Sequence, residues 1–357
     1  SDRLVQFGTI LNAVGQLPVE QRSEALMSLG RTIPGLPLDD RLTQFDAILD
    51  TVGRLPVEQR WATLAILGAR IEVLPANAHV ARFDSILDAV GRLPVEQRSP
   101  TLTNLGVRIQ CLPQGARLPR FDSLLDAVGR LPVEQRWATL ANLSSIIEYL
   151  PPYERPARFD RILDAIGQLP VEQRSSTLTN LSLKTQSLPP DARLPRFDSL
   201  LDAVGQLPVE RRSSTLTNLS YRIQLLPPDA RVARFDSILD VIGQLPVEQR
   251  SPMVTNLSLQ IKFMPPDAGL ERFDRILDAV AQLPVEQRSP TLENLCSNIG
   301  ILPLDARPAQ FHRVLEAVQQ LPAEQRGMLL TQLGTYIEAF PDRTKRGARA
   351  ALRGARR

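Results

Sequence analysis

Residues 194–231 read LPRFDSLLDAVGQLPVERRSSTLTNLSYRIQLLPPDAR, and this 38-residue unit decides the fold because it occurs nine times in tandem. The copies span residues 4–41, 42–79, 80–117, 118–155, 156–193, 194–231, 232–269, 270–307 and 308–345. A fixed period of this length is typical of stacked repeats rather than of separate globular domains. We therefore predict a single repeat domain over residues 1–345, followed by a basic C-terminal tail over residues 346–357.

Two apolar stripes with helical spacing divide each unit. Helix A is predicted from apolar residues spaced i, i+3, i+4 and i+7, and helix B from apolar residues spaced i, i+3, i+7 and i+10. In residues 194–231 the first stripe is Phe197, Leu200, Leu201 and Val204, and the second is Leu216, Leu219, Ile223 and Leu226. Gly205 follows helix A at a place that favours a left-handed cap, and two prolines end helix B.

The LPVEQR segment between the two stripes is predicted to form a short separate turn of helix or a kinked start to helix B. In three copies the next residue is a serine followed by proline, at Ser99, Ser251 and Ser289. Serine followed by proline is typical of a helix N-cap and first turn. The sequence thus predicts an all-α fold, a right-handed α-α superhelix (solenoid) of nine helical hairpins, with two or three helical segments in each repeat.

Position 27 of the unit, which adjoins the stripe of helix B, is always occupied by a small residue. The nine residues are Gly30, Gly68, Gly106, Ser144, Ser182, Ser220, Ser258, Cys296 and Gly334. A small side chain lets two helix axes approach to the short end of the usual range of 8–10 Å. We therefore expect neighbouring helices to cross here.

Catalytic and metal-binding patterns are missing from the sequence. Recurring charges, such as Arg82, Asp84 and Asp88 in one repeat, are expected to pair within a helix or across to the next unit. The two cysteines and two histidines lie too far apart in repeat order to form a disulfide or a metal site. No Gly-rich phosphate loop or nucleophile motif is present. We expect no enzyme activity and no cofactor.

The charge is unevenly distributed along the chain. Seven basic residues stand in the last fifteen positions, and removing them from the total of 42 leaves 35 against 39 acidic residues, a net charge of −4. Nucleic-acid binding is therefore expected from the tail alone, as the alternative function. No apolar stretch approaches the roughly 18 to 20 residues that span a bilayer. We expect a monomer without a membrane segment.

The surface of helix B opposite its apolar stripe combines constant and variable positions. Position 25 is asparagine in six successive copies, whereas positions 28 and 32 vary. A constant amide beside variable residues is the pattern expected of a surface that binds a ligand's backbone and reads its side chains. The candidate partner-binding residues are Asn104, Asn142, Asn180, Asn218, Asn256, Asn294, Val107, Leu183, Tyr221, Leu259, Tyr149, Leu225 and Phe263. Packing between repeats, with each asparagine bonded to the next helix, is the alternative.

The whole chain resembles the α-solenoid families, the armadillo, HEAT and tetratricopeptide repeats, and armadillo repeats most. The prolyl break before a long final helix and the asparagine row carry this resemblance. It implies a scaffold that binds a protein or extended peptide on its concave face, with the six asparagines holding the peptide main chain. The chain departs from the armadillo pattern because Trp137 stands five residues before Asn142, where those repeats place a tryptophan four before.

The near-identical helical copies also resemble repeat arrays among bacterial effector proteins that are injected into host cells. LPVEQR followed by asparagine is similar to the helix start of the DNA-reading arrays. The residue after the asparagine is a constant leucine here, which argues against a base-reading code. This resemblance implies a virulence role and a location in the cytoplasm or, after secretion, in a host cell.

Overall fold

A computed structural model of the protein describes residues 2–340 and 342–355. All regular elements in these two ranges are α-helices or short 3-10 helices. Contacts along the chain divide it into two compact units, unit 1 (Ser1–Pro189) and unit 2 (Pro190–Arg357). The predicted all-α fold of repeated helical hairpins is confirmed, while the single domain over 1–345 stays a prediction.

Each repeat contributes one helix A and one helix B. The A helices are α1 (Asp2–Val14), α3 (Leu38–Gly53), α5 (His79–Gly91), α7 (Gln114–Gly129), α9 (Arg155–Gly167), α11 (Pro190–Gly205), α13 (Pro228–Ile242), α15 (Pro266–Ala281) and α17 (Arg307–Gln319). The B helices are α2 (Val19–Thr32), α4 (Trp61–Arg70), α6 (Ser99–Arg108), α8 (Trp137–Ile146), α10 (Val171–Leu183), α12 (Ser213–Arg222), α14 (Val247–Gln260), α16 (Ser289–Asn298) and α18 (Ala323–Tyr336).

The LPVEQR segment takes both of its predicted forms. In five repeats it is a separate 3-10 turn, at Val57–Gln59, Val95–Gln97, Val133–Gln135, Val209–Arg211 and Val285–Gln287. In the other four the corresponding segment is the beginning of helix B itself. The serine that follows does not act as the predicted N-cap: the hydroxyl of Ser99 donates to the carbonyl of Gln135 at 2.9 Å and so links two repeats.

The apolar stripes form the core. The phenylalanine of helix A is almost fully buried in repeats two to nine, at Phe45, Phe83, Phe121, Phe159, Phe197, Phe235, Phe273 and Phe311. Leu219 of helix B is 0% exposed, as are its equivalents Leu105 and Leu257. Each hairpin therefore buries its two stripes against each other and against the adjacent repeats of its unit.

Consecutive B helices within a unit approach each other more closely than consecutive A helices do. The small residue at position 27 explains this approach. A Cβ on Gly30 would lie 2.9 Å from Cγ2 of Ile66, and a Cβ on Gly106 would lie 3.4 Å from Cβ of Asn142. The predicted crossing point is thus confirmed.

The glycine at the end of helix A does not form the predicted left-handed cap. No described residue has a positive φ, glycines included. Helix A instead ends in tight turns, such as the bonds from the N–H groups of Gln206 and Leu207 to the carbonyls of Ala203 and Val204. Its last carbonyls are bonded by an arginine side chain, which removes the need for a left-handed residue.

Two recurring arginines bond backbone carbonyls near helix ends. The arginine of LPVEQR, for example Arg212, donates from Nε to the carbonyl of Leu207 and from Nη2 to that of Gly205. The arginine that ends the unit, for example Arg231, donates to Leu226 and, in the next repeat, to the carbonyl of Phe263. These bonds satisfy orphan carbonyls and join adjacent repeats. The sequence alone indicated neither of these two roles.

The predicted charge ladder runs between the A helices of neighbouring repeats. Arg120 Nη2 lies 2.5 Å from Asp84 Oδ2, and Arg234 Nη2 lies 2.6 Å from Asp198 Oδ2. Arg82 and Asp46, and Arg272 and Asp236, form the same pair. The hydrogen bonds that Arg120 donates to the Asp84 carboxylate raise the pKa of its guanidinium. Since these pairs are partly exposed, they fix register more than they add stability.

The C-terminal residues form a further helix, α19 (Asp342–Ala355), where sequence reasoning predicted a tail. It packs against α17, and its Ala348 and Leu352 are 1% and 6% exposed. The period of the repeat places α19 where a tenth helix A would begin. Arg356 and Arg357, counted in the predicted tail, lie outside the described residues. None of the described helices is long and apolar enough to cross a membrane.

Candidate protein-binding surface

The outer side of helix B at positions 25, 28 and 32, termed here the B face, holds all thirteen predicted site residues. In unit 2 it presents large apolar side chains on consecutive helices. Tyr221 is 50% exposed and Phe263 36%, while Leu225 and Leu259 are half-buried. Ile301, at position 32 of the eighth repeat, was not among the predicted residues and is 46% exposed. Its period marks it as part of the same surface.

The B face of unit 1 is less continuous. Tyr149 and Leu183 are 39% and 36% exposed, and Val107 is half-buried. Trp61 and Trp137, at the first position of their B helices, are also partly exposed. Apart from Arg31, the remaining variable positions of this unit carry small or medium-sized residues such as Ala69, Val73 and Ser145. The structure therefore keeps the predicted residues on one layer but concentrates large apolar groups in unit 2.

The asparagine row bonds neighbouring repeats. The side-chain Nδ2 of Asn104 donates to the Ala65 carbonyl at 2.8 Å, and that of Asn142 to the Thr103 carbonyl at 2.9 Å. Asn256 and Asn294 make the equivalent bonds, to Thr217 and Thr255, at 3.2 Å. These four amides thus form bonds between repeats, as expected if the asparagine row serves packing.

All six asparagines of the row are half-buried, including Asn180 and Asn218. An amide has two N–H donors and one acceptor oxygen, so the bond that Asn104 or Asn142 makes to the preceding repeat does not exhaust it, whereas Asn294 also donates to the hydroxyl of Ser258. Contact between this row and a ligand's main chain stays a prediction. The inter-repeat bonds show that the row also contributes to the framework.

The charges that border the B face differ between the units. In unit 1, Lys184 Nζ lies 2.8 Å from Glu148 Oε1, and Arg108 pairs with Glu72. In unit 2 the ammonium of Lys262 lies 5.0 Å from the ring centroid of Phe263. A cation over an aromatic face leaves the edge of the ring and the rest of the surface available for apolar contact.

Arg222 extends beneath the B face of unit 2. It is 8% exposed, and burial lowers the pKa of its guanidinium. Its Nη1 donates to the carbonyl of Asn218 at 3.2 Å. Its charge is therefore withdrawn from the surface, which leaves this part of the B face predominantly apolar.

Both thiols and the imidazole of His79 occupy structural positions. Burial raises the pKa of the Cys296 thiol to about 12, which keeps the sulfur protonated and unreactive. The half-buried Cys111 has a pKa raised mainly by burial. His79 takes the place of the unit's last arginine, with Nε2 2.9 Å from the carbonyl of Leu74 and Nδ1 3.2 Å from that of Cys111. Within the two described ranges, no cluster of His, Cys, Asp and Glu could hold a metal ion.

Cavities between the repeats follow the period as well. One of about 460 Å³ lies between α7 and α9 and is lined by residues that include Asp126, Arg130 and Gln168. Another of about 370 Å³ between α5 and α7 has the equivalent lining, with Asp88 and Arg130. Their recurrence at equivalent places indicates that they arise from the packing of the repeat rather than from a single ligand site.

The chain is similar to known proteins in structure only, and this similarity is low. No protein-family model matches it, and no curated protein matches it. Among solved structures, it is similar to an engineered protein, with 16% identity, a TM-score of 0.49 and coverage of 98% of this chain and 92% of that one. This TM-score and those of the two structures described next lie below 0.5. The repeat architecture therefore rests on the chain's own helices and contacts.

Two further solved structures align with nearly the whole length of this chain. A protective antigen of uropathogenic Escherichia coli with an SLR fold has 9% identity and a TM-score of 0.23, covering 97% of this chain and 94% of that one. The NOT1 superfamily homology domain from Chaetomium thermophilum has 10% identity and a TM-score of 0.26, covering 98% and 97%.

Proposed function

We propose that the protein is a non-enzymatic scaffold that binds an extended peptide or a protein segment on the B face of unit 2. One observation carries the proposal: Tyr221, Phe263 and Ile301 stand 36–50% exposed on three consecutive repeats. Large aromatic and branched side chains exposed in a row mark an interaction surface rather than ordinary solvent-facing residues.

The spacing of the B helices favours an extended ligand. Adjacent helices pack with axes about 8–10 Å apart, and an extended chain rises about 3.3 Å per residue. Every third residue of such a ligand would then meet one repeat. The ligand expected here has apolar side chains with this spacing and few charges, because Leu225 and Leu259 continue the apolar surface between the exposed residues.

The role of the asparagines in this proposal follows the armadillo resemblance. Asn256 lies half-buried beside the variable residues of its helix and uses Nδ2 for the preceding repeat. Its remaining bonding capacity is directed at the ligand's main chain, which would give affinity that does not depend on ligand sequence. The side chains at positions 28 and 32 would then supply the selectivity.

Selection from a displayed peptide library tests the proposal. Peptides recovered on the intact protein should lose at least about tenfold in affinity for a triple variant, Tyr221→Ser with Phe263→Ser and Ile301→Ser, since each buried aromatic anchor contributes at least about 1 kcal/mol. The matched control replaces three exposed apolar residues outside the B face, Leu38, Tyr153 and Leu304, by serine. The control should bind the peptides as the intact protein does.

Three results would contradict the proposal. The first is recovery of peptides that bind both triple variants equally, and the second is a library that yields no binder above background. The third is self-association of the intact protein that the B-face variant abolishes, measured by light scattering, because a second copy would then be the occupant.

A further inference from the structure

Helix α19 carries a row of arginines on its exposed side. Residues 342–355 contain five basic residues and one acidic residue, a net charge of +4. Arg343, Arg346 and Arg353 are exposed, and the side chain of Arg349 is 52% exposed. The row therefore presents most of the local positive charge to solvent.

The helical period places these arginines on one face. At 100° per residue, Arg343, Arg346, Arg349 and Arg353 lie within a sector of about 120°, opposite the buried Ala348 and Leu352. Ten residues at 1.5 Å each give the row a length of about 15 Å. Sequence reasoning counted these charges but described residues 346–357 only as a basic C-terminal tail.

Packing holds the row in place. The apolar side of α19 rests on α17. Arg349 Nη2 lies 2.6 Å from Glu338 Oε1, and this bond lowers the pKa of the Glu338 carboxyl. Asp342, the one acid of the helix, lies 3.1 Å from Lys345 Nζ. Arg343, Arg346 and Arg353 form no ion pair with any other residue that the structure describes.

From this arrangement we infer that α19 binds the phosphate backbone of nucleic acid, independently of the peptide surface. A planar guanidinium bonds phosphate oxygens through two parallel N–H groups, and a fixed row of them follows a line of phosphates with little loss of side-chain freedom. Contacts to phosphate oxygens carry no sequence information, so binding through this row is independent of sequence.

The residues between the arginines favour nucleic acid as the ligand over an anionic membrane surface or an acidic protein. Gly347, Ala350 and Gly354 share the exposed side, and the only leucine of the helix, Leu352, is buried. A membrane-surface helix inserts an apolar face into the lipid, and a protein interface has an aromatic or aliphatic anchor. α19 offers neither on its exposed side, whereas phosphate contacts need only the guanidinium groups.

The experiment uses the full chain with fluorescein-labelled 20-base-pair DNA and a single-stranded RNA of equal length, followed by anisotropy at 50 to 200 mM salt. The variant is Arg343→Gln with Arg346→Gln and Arg353→Gln. The matched control is Arg54→Gln with Arg92→Gln and Arg130→Gln, which removes the same charge from three exposed arginines at the ends of A helices. Circular dichroism checks that both variants fold.

The intact protein and the control should bind the oligonucleotides with affinity that falls steeply with salt. In the α19 variant the slope of log K against log salt should decrease by about 2 to 3, because each phosphate contact contributes about 0.9, and affinity at 50 mM salt should fall at least tenfold. Equal losses in the two variants would overturn the inference. So would an absence of oligonucleotide binding at 50 mM salt, or stronger binding to phosphatidylserine vesicles or polyglutamate than to either nucleic acid.

Discussion

The B faces of units 1 and 2 have different chemistry on the same backbone. In unit 1, Lys184 pairs with Glu148 and Arg108 pairs with Glu72, and these ion pairs bridge successive repeats. In the sixth to eighth repeats, which belong to unit 2, the acidic partner is replaced by Gln224, Lys262 and Gly300, and aromatic residues occupy two of the variable positions. The B face of unit 1 thus carries ion pairs between repeats beside isolated apolar residues, whereas the B face of unit 2 exposes apolar residues on three consecutive repeats.

The framework and the surface of the repeats therefore vary independently of each other. Leu105 in unit 1 and Leu219 in unit 2 are both 0% exposed, and the small residue beside each of them is buried as well. The variable positions lie on the opposite side of the same helix, where a change of side chain leaves the core contacts intact. Repeats with one core can therefore present different surfaces.

The largest effect is expected from deleting the core leucine in either unit. Leu105→Ala and Leu219→Ala should each cost about 2–5 kcal/mol, because each leaves a cavity in an equivalent place. Both tryptophans, Trp61 and Trp137, belong to unit 1, so their fluorescence follows unit 1 alone while circular dichroism follows the whole chain. In urea, Leu219→Ala should shift part of the dichroism transition and leave the fluorescence midpoint near its original value.

Leu105→Ala is the matched variant and should move the fluorescence midpoint to lower urea. If both variants shifted both signals by the same amount, the chain would unfold as one body and the comparison of two units would lose its thermodynamic meaning.

The second prediction uses the two cysteines, one in each unit, as probes of local opening. Cys111 is half-buried, whereas Cys296 is 0% exposed with a pKa of about 12, so iodoacetamide should modify Cys111 first. A loss of 2 kcal/mol in unit 2 corresponds to roughly 30-fold more frequent opening. Leu219→Ala should therefore accelerate the labelling of Cys296 by about this factor, measured by peptide mass spectrometry.

Labelling of Cys111 serves as the internal control and should keep its rate in Leu219→Ala. An unchanged rate at Cys296 in this variant would show that opening at this cysteine does not follow the stability of the repeat that holds Leu219.

The third prediction tests whether the close crossing of B helices is the same in both units. Gly106→Leu in unit 1 and Ser258→Leu in unit 2 should each cost about 1–3 kcal/mol, because the added atoms meet the next helix. Gly129→Leu is the control, since a Cβ at Gly129 meets nothing within 4 Å. Thermal unfolding followed by circular dichroism gives the comparison. A cost below about 0.5 kcal/mol at either crossing position would mean that the helices there can move apart.

The smallest effect is expected from the charges beside the B face. Lys184→Gln removes an ion pair whose lysine side chain is 17% exposed, and the loss should stay below about 1 kcal/mol and diminish at high salt. Lys262→Gln in unit 2 removes only a cation over the Phe263 ring and should change stability by less than about 0.5 kcal/mol. A larger loss at Lys262 than at Lys184 would reverse the contrast between the two faces.

Much of the architecture follows from the sequence because apolar spacing and small residues act locally. The stripe of Phe197, Leu200 and Val204 is buried as predicted, since only a helix places these residues on one side. The crossing at Gly106 was also predictable, because two helices pack closely only where the side chain between them is small, and position 27 carries a small residue in every repeat. These features depend on the residue itself and on its nearest turns.

The partner atom of each recurring side chain was beyond the reach of the sequence. The period shows that asparagine, arginine and aspartate recur, but it does not show which recurring positions meet. Asn104 bonds the carbonyl of Ala65, 39 residues earlier, and Arg231 bonds that of Phe263, 32 residues later. Such pairings depend on the offset and rotation between neighbouring repeats, which are set by the packing of whole helices.

The C-terminal segment shows the same division between composition and structure. The sequence alone shows that residues 343–357 are basic and rich in arginine. Only the tertiary structure shows that residues 342–355 form a helix in which Leu352 is buried and Arg346 is exposed. A segment this short is marginal as an isolated helix, and it gains stability because it buries its apolar side against α17.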